Sequence, residues 1–316
     1  MASGLTSRSI VDSDLLSEQF PGDLWFVDKA NTGAERSGTN FNGSFTKVQD
    51  AIDAASERDK ILIAPYYVSH ANTGLNESLT VSISKPGLEI VGAATRLATA
   101  VAPTATNPTV LTVHADDVTV RNLDFATNGA TGIAARISGR RFHAEKCKFE
   151  GAQVAGDFGI VHGPVKNSLN NVLGHNGSDA LYEDCEFAWL DKGFKILGSD
   201  FGACTELRIR RSIFHNILSA EITEGHNFTD SGQAAGGGDA QHHYDSLEIS
   251  ECYFMDQEGG TQPTKYLDLN ADNANKGVCQ RSYFPQALNG GKALVSTGLK
   301  FVGNFMTGGI STGQPS

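Results

Sequence analysis

The feature that most constrains the fold is a short motif that recurs seven times along the C-terminal two-thirds of the chain. In each copy, an alternating apolar and polar stretch leads to a turn-like polar pair, a small or apolar residue and a final Phe. The copies lie at 118–125, 142–149, 181–187, 207–214, 247–254, 278–284 and 299–305. Alternation with a period of two is typical of β-strands. One such unit is too small to bury its own apolar face, so the motif predicts units that stack on one another.

The final Phe of the motif returns at intervals that are typical of a solenoid. Successive Phe residues are separated by 24, 38, 27, 40, 30 and 21 residues, and the short intervals fall within the range of known solenoid repeats. The long intervals have room for loops, and we expect insertions near 158–180 and 217–246. The alternative is an antiparallel β-sandwich whose strands share a consensus by chance. The seven residues are Phe125, Phe149, Phe187, Phe214, Phe254, Phe284 and Phe305.

The cysteines follow the same pattern. The residue two positions before the Phe is, in order, Leu123, Cys147, Cys185, Ser212, Cys252, Ser282 and Gly303. Three of the five cysteines therefore share one position, which we expect to face the interior of the stack. Cys204 and Cys279 complete the set, and no two cysteines have C-x₂-C spacing. We predict buried free thiols, with neither a disulfide framework nor a zinc site.

A different pattern precedes the repeats. Apolar residues at helical spacing predict an amphipathic helix that covers the open end of the first coil, with Ser44 as its N-cap. Residues 61–63 then begin the stack, and Pro65 ends that strand. The helical stripe consists of Phe45, Val48, Ile52 and Ala55.

Taken together, these segments resemble the right-handed parallel β-helix of the pectate-lyase-like superfamily. The similarity covers roughly residues 41 to 309 and rests on FTKVQDAIDAA at 45–55, DKILIAP at 59–65, LTVSISKPGLEIVG at 79–92 and the Cys-x-Phe endings. The resemblance implies an all-β, single-stranded solenoid with an N-terminal capping helix. This scaffold carries lyases, hydrolases, adhesins and viral spikes, so it does not specify one activity. Within the superfamily, the chain most resembles bacteriophage decoration or spike proteins.

The domain organisation follows from these patterns. We expect an N-terminal arm at 1–24, a cap region at 25–58, the β-helix at 59–309 and a tail at 310–316. The arm is polar and lacks the coil pattern, but it carries apolar residues that we expect to contact a partner in an assembly. The alternative is that the arm packs on the flank of its own β-helix. The predicted partner-binding residues are Ile10, Val11, Leu15, Leu16 and Phe20.

Charge limits the class of partner. The chain has 25 Lys+Arg against 36 Asp+Glu, a net charge of −11, which argues against nucleic acid or an anionic membrane as the main ligand. No stretch reaches the roughly 18 apolar residues of a membrane span. The N-terminus lacks the basic start and apolar run of a signal peptide, so we expect synthesis in a host cytoplasm. Gly236–Gly238 lacks the context of a phosphate loop, and we expect no cofactor.

Acidic side chains are catalytic candidates because β-helix lyases use a calcium ion with an Arg or Lys base, and β-helix hydrolases use paired carboxylates. None lies in a recognised lyase or polygalacturonase motif. Adjacent histidines on a strand point to opposite faces, which disfavours a shared metal. We therefore interpret these residues as solvated surface and assign no catalytic or metal-binding residue. The candidates are Glu221, Glu224, His226, Asp230, Asp239, His242, His243 and Asp245, then Asp179, Glu183, Asp184 and Asp191, and finally Arg208, Arg210 and Arg211.

Two functions of different class remain open. The first is a non-enzymatic decoration or cement protein of a phage-like virion, a homotrimer anchored to a capsid or other virion protein by its arm. The second is a tailspike-type polysaccharide lyase or hydrolase that uses acidic residues of the 217–246 segment. Binding of a surface glycan without cleavage, through Phe228 and Tyr244, is compatible with the first.

Overall fold

The computed structural model describes a set of short strands that wind through successive coils. The described residues are 22–30, 43–65, 77–93, 100–101, 109–127, 132–163, 165–166, 172–173, 177–198, 204–226, 244–255, 263, 265–269, 276–285, 294–296, 299–306 and 309–311. Within them, each coil contributes strands in turn to three sheets, and strands of successive coils pair in parallel. The predicted all-β parallel β-helix is confirmed, and the antiparallel sandwich is wrong.

The first sheet has ten parallel strands among the described residues. They are Leu24–Val27, Lys60–Ile63, Glu89–Gly92, Thr119–Arg121, His143–Glu145, Leu181–Glu183, Arg208–Arg210, Leu247–Ser250, Gly277–Gln280 and Leu299–Val302. Since Leu24–Val27 pairs with Lys60–Ile63, the stack begins before residue 59, the start that the sequence pattern predicts.

The second and third sheets have nine and eight strands among the described residues. The second consists of Ala100–Val101, Asp124–Ala126, Lys148–Glu150, Glu186–Ala188, Ile213–His215, Tyr253–Phe254, Tyr283–Phe284, Asn304–Met306 and Gly309–Ser311, the last of these antiparallel. The third consists of Leu79–Val81, Thr109–Val113, Ile133–Ile137, Phe158–His162, Lys192–Gly198, Ala220–His226, Lys265–Leu269 and Leu294–Ser296. Two small sheets pair Val165–Lys166 with Val172–Leu173 and Cys204–Thr205 with Tyr244–Asp245.

The two segments that we expected to project as loops both begin as strands. Phe158–His162 and Ala220–His226 lie side by side with Lys192–Gly198 in the third sheet. Their apolar residues fill the interior, where Ile160 and Ile222 are fully buried. The inserted loops are therefore shorter than the ranges 158–180 and 217–246 that the repeat spacing predicts.

Six of the predicted aromatic residues form a column in the interior. Phe187 and Phe214 stack with ring centroids 4.5 Å apart and an interplanar angle of 5°. The other neighbouring pairs stack at 4.7 to 5.5 Å, and every member is fully buried. Rings that face one another across neighbouring strands bury large apolar areas and exclude water from the interior. The column consists of Phe125, Phe149, Phe187, Phe214, Phe254 and Phe284.

Phe305 does not belong to this column, and the prediction that it does is wrong. Its backbone pairs with Tyr283, and its side chain is 50% exposed, whereas Met306 pairs with Phe284. The left-handed turn of this coil falls at Gly303, so the inward position after the turn is Asn304 rather than Gly303. The sequence alignment of the last repeat was therefore shifted by one residue.

A tight turn joins the first sheet to the second in the seven repeated coils and explains the cysteine pattern. Its corner residue has φ between 46° and 59°. The next residue points inward, and in the five coils where it is Cys or Ser its thiol or hydroxyl donates to the carbonyl two residues earlier, as Cys185 does to Glu183 at 3.3 Å and Ser212 to Arg210 at 2.9 Å. Cys and Ser fit because they satisfy a buried carbonyl. The corner residues are Asn122, Lys146, Asp184, Arg211, Glu251, Arg281 and Gly303.

The predicted capping helix is present at Val48–Ala54, the one α-helix among the described residues. It buries Val48, Ala51 and Ile52 against the first strands of the first and third sheets. Ser44 is not its N-cap. Instead, the carboxylate of Glu77 accepts hydrogen bonds from the backbone N–H groups of Val48 at 3.1 Å and of Gln49 at 2.9 Å. A carboxylate is favoured there because the helix N-terminus carries partial positive charge.

The arm residues Ile10, Val11, Leu15, Leu16 and Phe20 lie outside the described residues. Among the helices that the structure describes, none has the length and apolar character needed to cross a membrane.

Candidate functional site

Among the residues that the structure describes, the predicted acidic candidates do not form one cluster. Glu221 is fully buried, aligned with Gly193 and Tyr266 on neighbouring strands, so it is not an exposed loop residue. Glu224 and His226 lie on the same strand as Glu221. Asp245 lies in the small parallel sheet formed with Cys204–Thr205. The remaining candidates of this segment, Asp230, Asp239, His242 and His243, lie outside the described residues.

The second acidic group stabilises turns. Glu183 and Asp184 both pair with the guanidinium of Arg211, at 2.7 and 2.8 Å. Asp191 accepts hydrogen bonds from the backbone N–H of Gly156 and from the hydroxyl of Ser219. These carboxylates are therefore occupied by structural contacts.

Two further candidates also have structural roles. Asp179 is a turn residue with φ 62°. Arg210 pairs with Glu248, and Arg208, on the same strand, is partly buried.

Cationic side chains instead meet on the outer surface of the third sheet. The alternation within each strand places them there: Ala135 and Ile137 are buried, so Arg136 between them points outward. Phe194 and Ile196 are buried in the same way on either side of Lys195. We call Arg136, Phe158, Lys192 and Lys195 the basic face; all four side chains are partly buried.

The strand register sets the geometry of the basic face. Val161 pairs with Arg136 on one side and Lys195 on the other, so the two cations lie two strands apart. Phe158 pairs directly with Lys192. The Nζ atoms of Lys192 and Lys195 lie 5.5 and 5.3 Å from the centroid of the Phe158 ring. One aromatic ring therefore supports both ammonium groups through cation–π contacts.

The electrostatics of the basic face disfavour positive charge. Burial lowers the pKa of Lys195, and the nearby charges of Lys192 and Arg136 lower it further. Burial also lowers the pKa of Arg136. His114 lies at the edge of this face, with its Nδ1 atom 2.8 Å from the hydroxyl of Ser138. Burial lowers the pKa of His114, and the positive charge of Arg136 lowers it further. Each cation is thus partly desolvated beside other cations.

Several described cations elsewhere on the molecule are neutralised by carboxylates. On the first sheet, Arg121 pairs with Glu89 and Glu145, both at 3.1 Å, and Lys60 pairs with Glu89 at 3.1 Å. Across the part of the chain that the structure describes, no carboxylate pairs in this way with Arg136, Lys192 or Lys195. The basic face is therefore a place where an external anion would find uncompensated charge.

Sequence reasoning missed the basic face. The repeated motif that ends in Phe covers only strands of the first and second sheets, whereas these cations lie on strands of the third sheet. The alternation in IAARI at 133–137 and KGFKILG at 192–198 was the available signal. A group of three or more His, Cys, Asp or Glu side chains placed to hold a metal does not occur among the described residues.

Comparisons with known proteins identify the fold. No family model and no curated protein sequence matches the chain. Among solved structures, it is similar to a pectin methylesterase from carrot, with a TM-score of 0.55, 14% identity and coverage of 95% of this chain and 88% of that one. It is also similar to the pectin methylesterase of Aspergillus niger, with a TM-score of 0.53, 14% identity and coverage of 94% of this chain and 93% of that one. A third similar structure is the pectin methylesterase PemA of Erwinia chrysanthemi, with a TM-score of 0.52, 12% identity and coverage of 94% of this chain and 92% of that one.

Identities this low show a shared fold and nothing further about activity. The path of the chain is nevertheless matched almost from end to end in each comparison. The chain therefore adopts the right-handed parallel β-helix fold of these proteins.

Proposed function

We propose that the protein binds an acidic polysaccharide on the basic face. One observation carries the proposal: Arg136, Lys192 and Lys195 are gathered, partly buried and without a carboxylate partner among the described residues, on a chain whose net charge is −11. Carboxylate groups of sugars are the natural complement of Arg and Lys side chains.

The energetics favour a ligand over a purely structural role for these residues. Removing a cation from water without a partner costs free energy, and neighbouring cations add repulsion. The ring of Phe158 offsets part of this cost, about 0.5–2 kcal/mol for each cation–π contact. An anionic ligand would recover the remainder on binding. Perturbed cations on a rigid sheet are typical of binding sites.

The structural comparisons support the choice of ligand class. The carrot, Aspergillus and Erwinia structures are named for activity on pectin. A β-helix also offers a long, regular outer surface, along which a polymer can contact several coils. We therefore take a polysaccharide rather than a small anion as the ligand.

The proposal is tested by titration calorimetry with polygalacturonate at low and at physiological salt. We expect binding that weakens as salt is added, because exposed charges are screened. The double variant Lys192→Met and Lys195→Met should lose at least tenfold in affinity. The control is Lys300→Met, an exposed lysine on the first sheet, which should bind as the wild type does. No binding by the wild type, or equal loss in the control, would refute the proposal.

Cleavage of the bound glycan is a second candidate, favoured by the lowered pKa of Lys195. As a neutral amine, Lys195 would take the proton from the carbon beside a uronate carboxylate. The electron pair would form a carbon–carbon double bond, and the neighbouring glycosidic oxygen would leave and take up a proton. Unsaturated products absorb in the ultraviolet. Lys195→Arg should then keep binding but lose turnover, and an unchanged rate would exclude Lys195 as the base.

The virion role stays a prediction. Decoration of a capsid, the homotrimer and the virion location have no support in the structure or the comparisons, and of the arm at 1–24 the structure describes only residues 22–24. Glycan binding is compatible with that role but does not depend on it.

A further inference from the structure

The basic face continues into an acidic residue along one row of the third sheet. Asp268 is aligned with Thr223, which is aligned with Lys195. Because neighbouring strands lie 4.7–4.9 Å apart, the charged members of the row are separated by about 10 Å each. The charges along the row are positive, positive and negative. In order, the row is Arg136, Val161, Lys195, Thr223 and Asp268.

Asp268 presents its carboxylate on the same side of the sheet as the cations. Its neighbours Leu267 and Leu269 are fully buried in the interior, whereas Asp268 is partly buried. This is the alternation that turns Lys195 outward between Phe194 and Ile196. A ligand lying along the row would therefore pass two cations and then a carboxylate.

We infer that Asp268 determines specificity at one end of the glycan site, so that the ligand is a polysaccharide of mixed anionic and neutral units rather than a uniform polyanion. This inference rests on the proposed function. Anionic sugars would lie beside Arg136 and Lys195, and a neutral or esterified sugar beside Asp268. A carboxylate at that last position would face another carboxylate at close range, where like charges repel.

The experiment compares two polymers of matched length, polygalacturonate and a partly methyl-esterified pectin, by titration calorimetry at low salt. The wild type should bind the partly esterified polymer more tightly. Asp268→Asn should improve binding of polygalacturonate about three- to tenfold and leave the other polymer nearly unchanged. This gain should shrink as salt is added. Asp268→Thr introduces the residue type found at Thr223 and repeats the test should the Asn variant fold poorly.

The matched control is Glu57→Gln, which removes the same charge from an exposed residue that follows the capping helix. It should change neither affinity. Equal effects of Asp268→Asn on both polymers, or none on either, would overturn the specificity role while leaving glycan binding intact. Failure of the wild type to bind either polymer would instead overturn the proposed function, and the inference with it.

Discussion

The ammonium group of Lys195 lies over the ring of Phe158, 5.3 Å from its centroid, on the outer surface of the third sheet. This contact supplies only part of what a desolvated cation loses by leaving water. The second lysine over the same ring, Lys192, adds repulsion. We therefore expect Lys195 to contribute to ligand affinity and not to the stability of the fold.

We predict that Lys195→Met leaves the free energy of unfolding unchanged or raises it by about 1 kcal/mol, while glycan affinity falls. The same substitution at Lys148 should have the opposite effect on stability. Lys148 is nearly buried and pairs with Glu150, so its removal breaks a buried ion pair, at a cost of about 3–5 kcal/mol. Urea unfolding of the two variants checks both values. Marked destabilisation by Lys195→Met would show that Lys195 is structural.

The aromatic column gives a second pair of variants. Phe254→Ala should lower the free energy of unfolding by about 3–5 kcal/mol, because it opens a cavity between Phe214 and Phe284. Phe305→Ala, at an exposed position outside the column, should cost less than about 1 kcal/mol. Denaturant unfolding measures both. Similar losses in the two variants would contradict the observed register.

The buried pair His162 and Tyr182 predicts a pH dependence of stability. Nε2 of His162 donates to the carbonyl of Gly177 at 2.7 Å, and Nδ1 accepts from the Tyr182 hydroxyl at 2.7 Å, so the ring is neutral. Burial lowers the pKa of His162 to about 4. In the unfolded chain, His162 binds a proton with an ordinary pKa of about 6.5. The stabilisation that comes from keeping His162 neutral is therefore complete above pH 6.5 and is lost as the pH falls toward 4.

The loss assigned to His162 should reach about 3 kcal/mol. Because carboxylates also titrate in this range, the quantity to measure is the difference between wild type and His162→Gln in urea unfolding at several pH values. We expect that difference to grow with pH between 4 and 6.5 and then to level off. A difference that does not change with pH would mean that His162 is not buried as a neutral ring.

The cysteines should be unreactive in the folded protein. All five are free and buried, and burial raises the pKa of Cys147, Cys204 and Cys252 to about 12. Thiolate is the reactive form, so thiol reagents at neutral pH should modify none of the five in the native state. In denaturant, all five should react. Rapid modification of any native thiol would place that cysteine at the surface.

Much of this fold could be predicted because one turn repeats. The column from Phe125 to Phe284 and the inward cysteines follow from a motif in which the corner residue fixes which neighbours face inward. The last coil was misaligned because Phe305 follows its corner residue by two positions, not by three as the column members do. Gly303 sets that turn, and its conformation is not visible in an alignment of apolar residues.

The candidate site could not be predicted in the same way. Arg136 and Lys195 are 59 residues apart in sequence, and only the pairing of both strands with Phe158–His162 brings them together. Phe158–His162 lies in a long interval between two motif copies, where the motif itself predicts a loop and not a strand. Glu221 was a plausible catalytic acid by residue type, yet its strand position places it in the interior.

Lysine footprinting with polygalacturonate tests the central claim most directly. Amine acetylation followed by mass spectrometry, with and without the polymer, reports which lysines the ligand covers. Lys192 and Lys195 should be protected, whereas the exposed Lys146 and Lys300 should be modified equally in both samples. Unchanged modification of Lys192 and Lys195 at saturating polymer, or protection confined to Lys146 and Lys300, would contradict glycan binding on the third sheet.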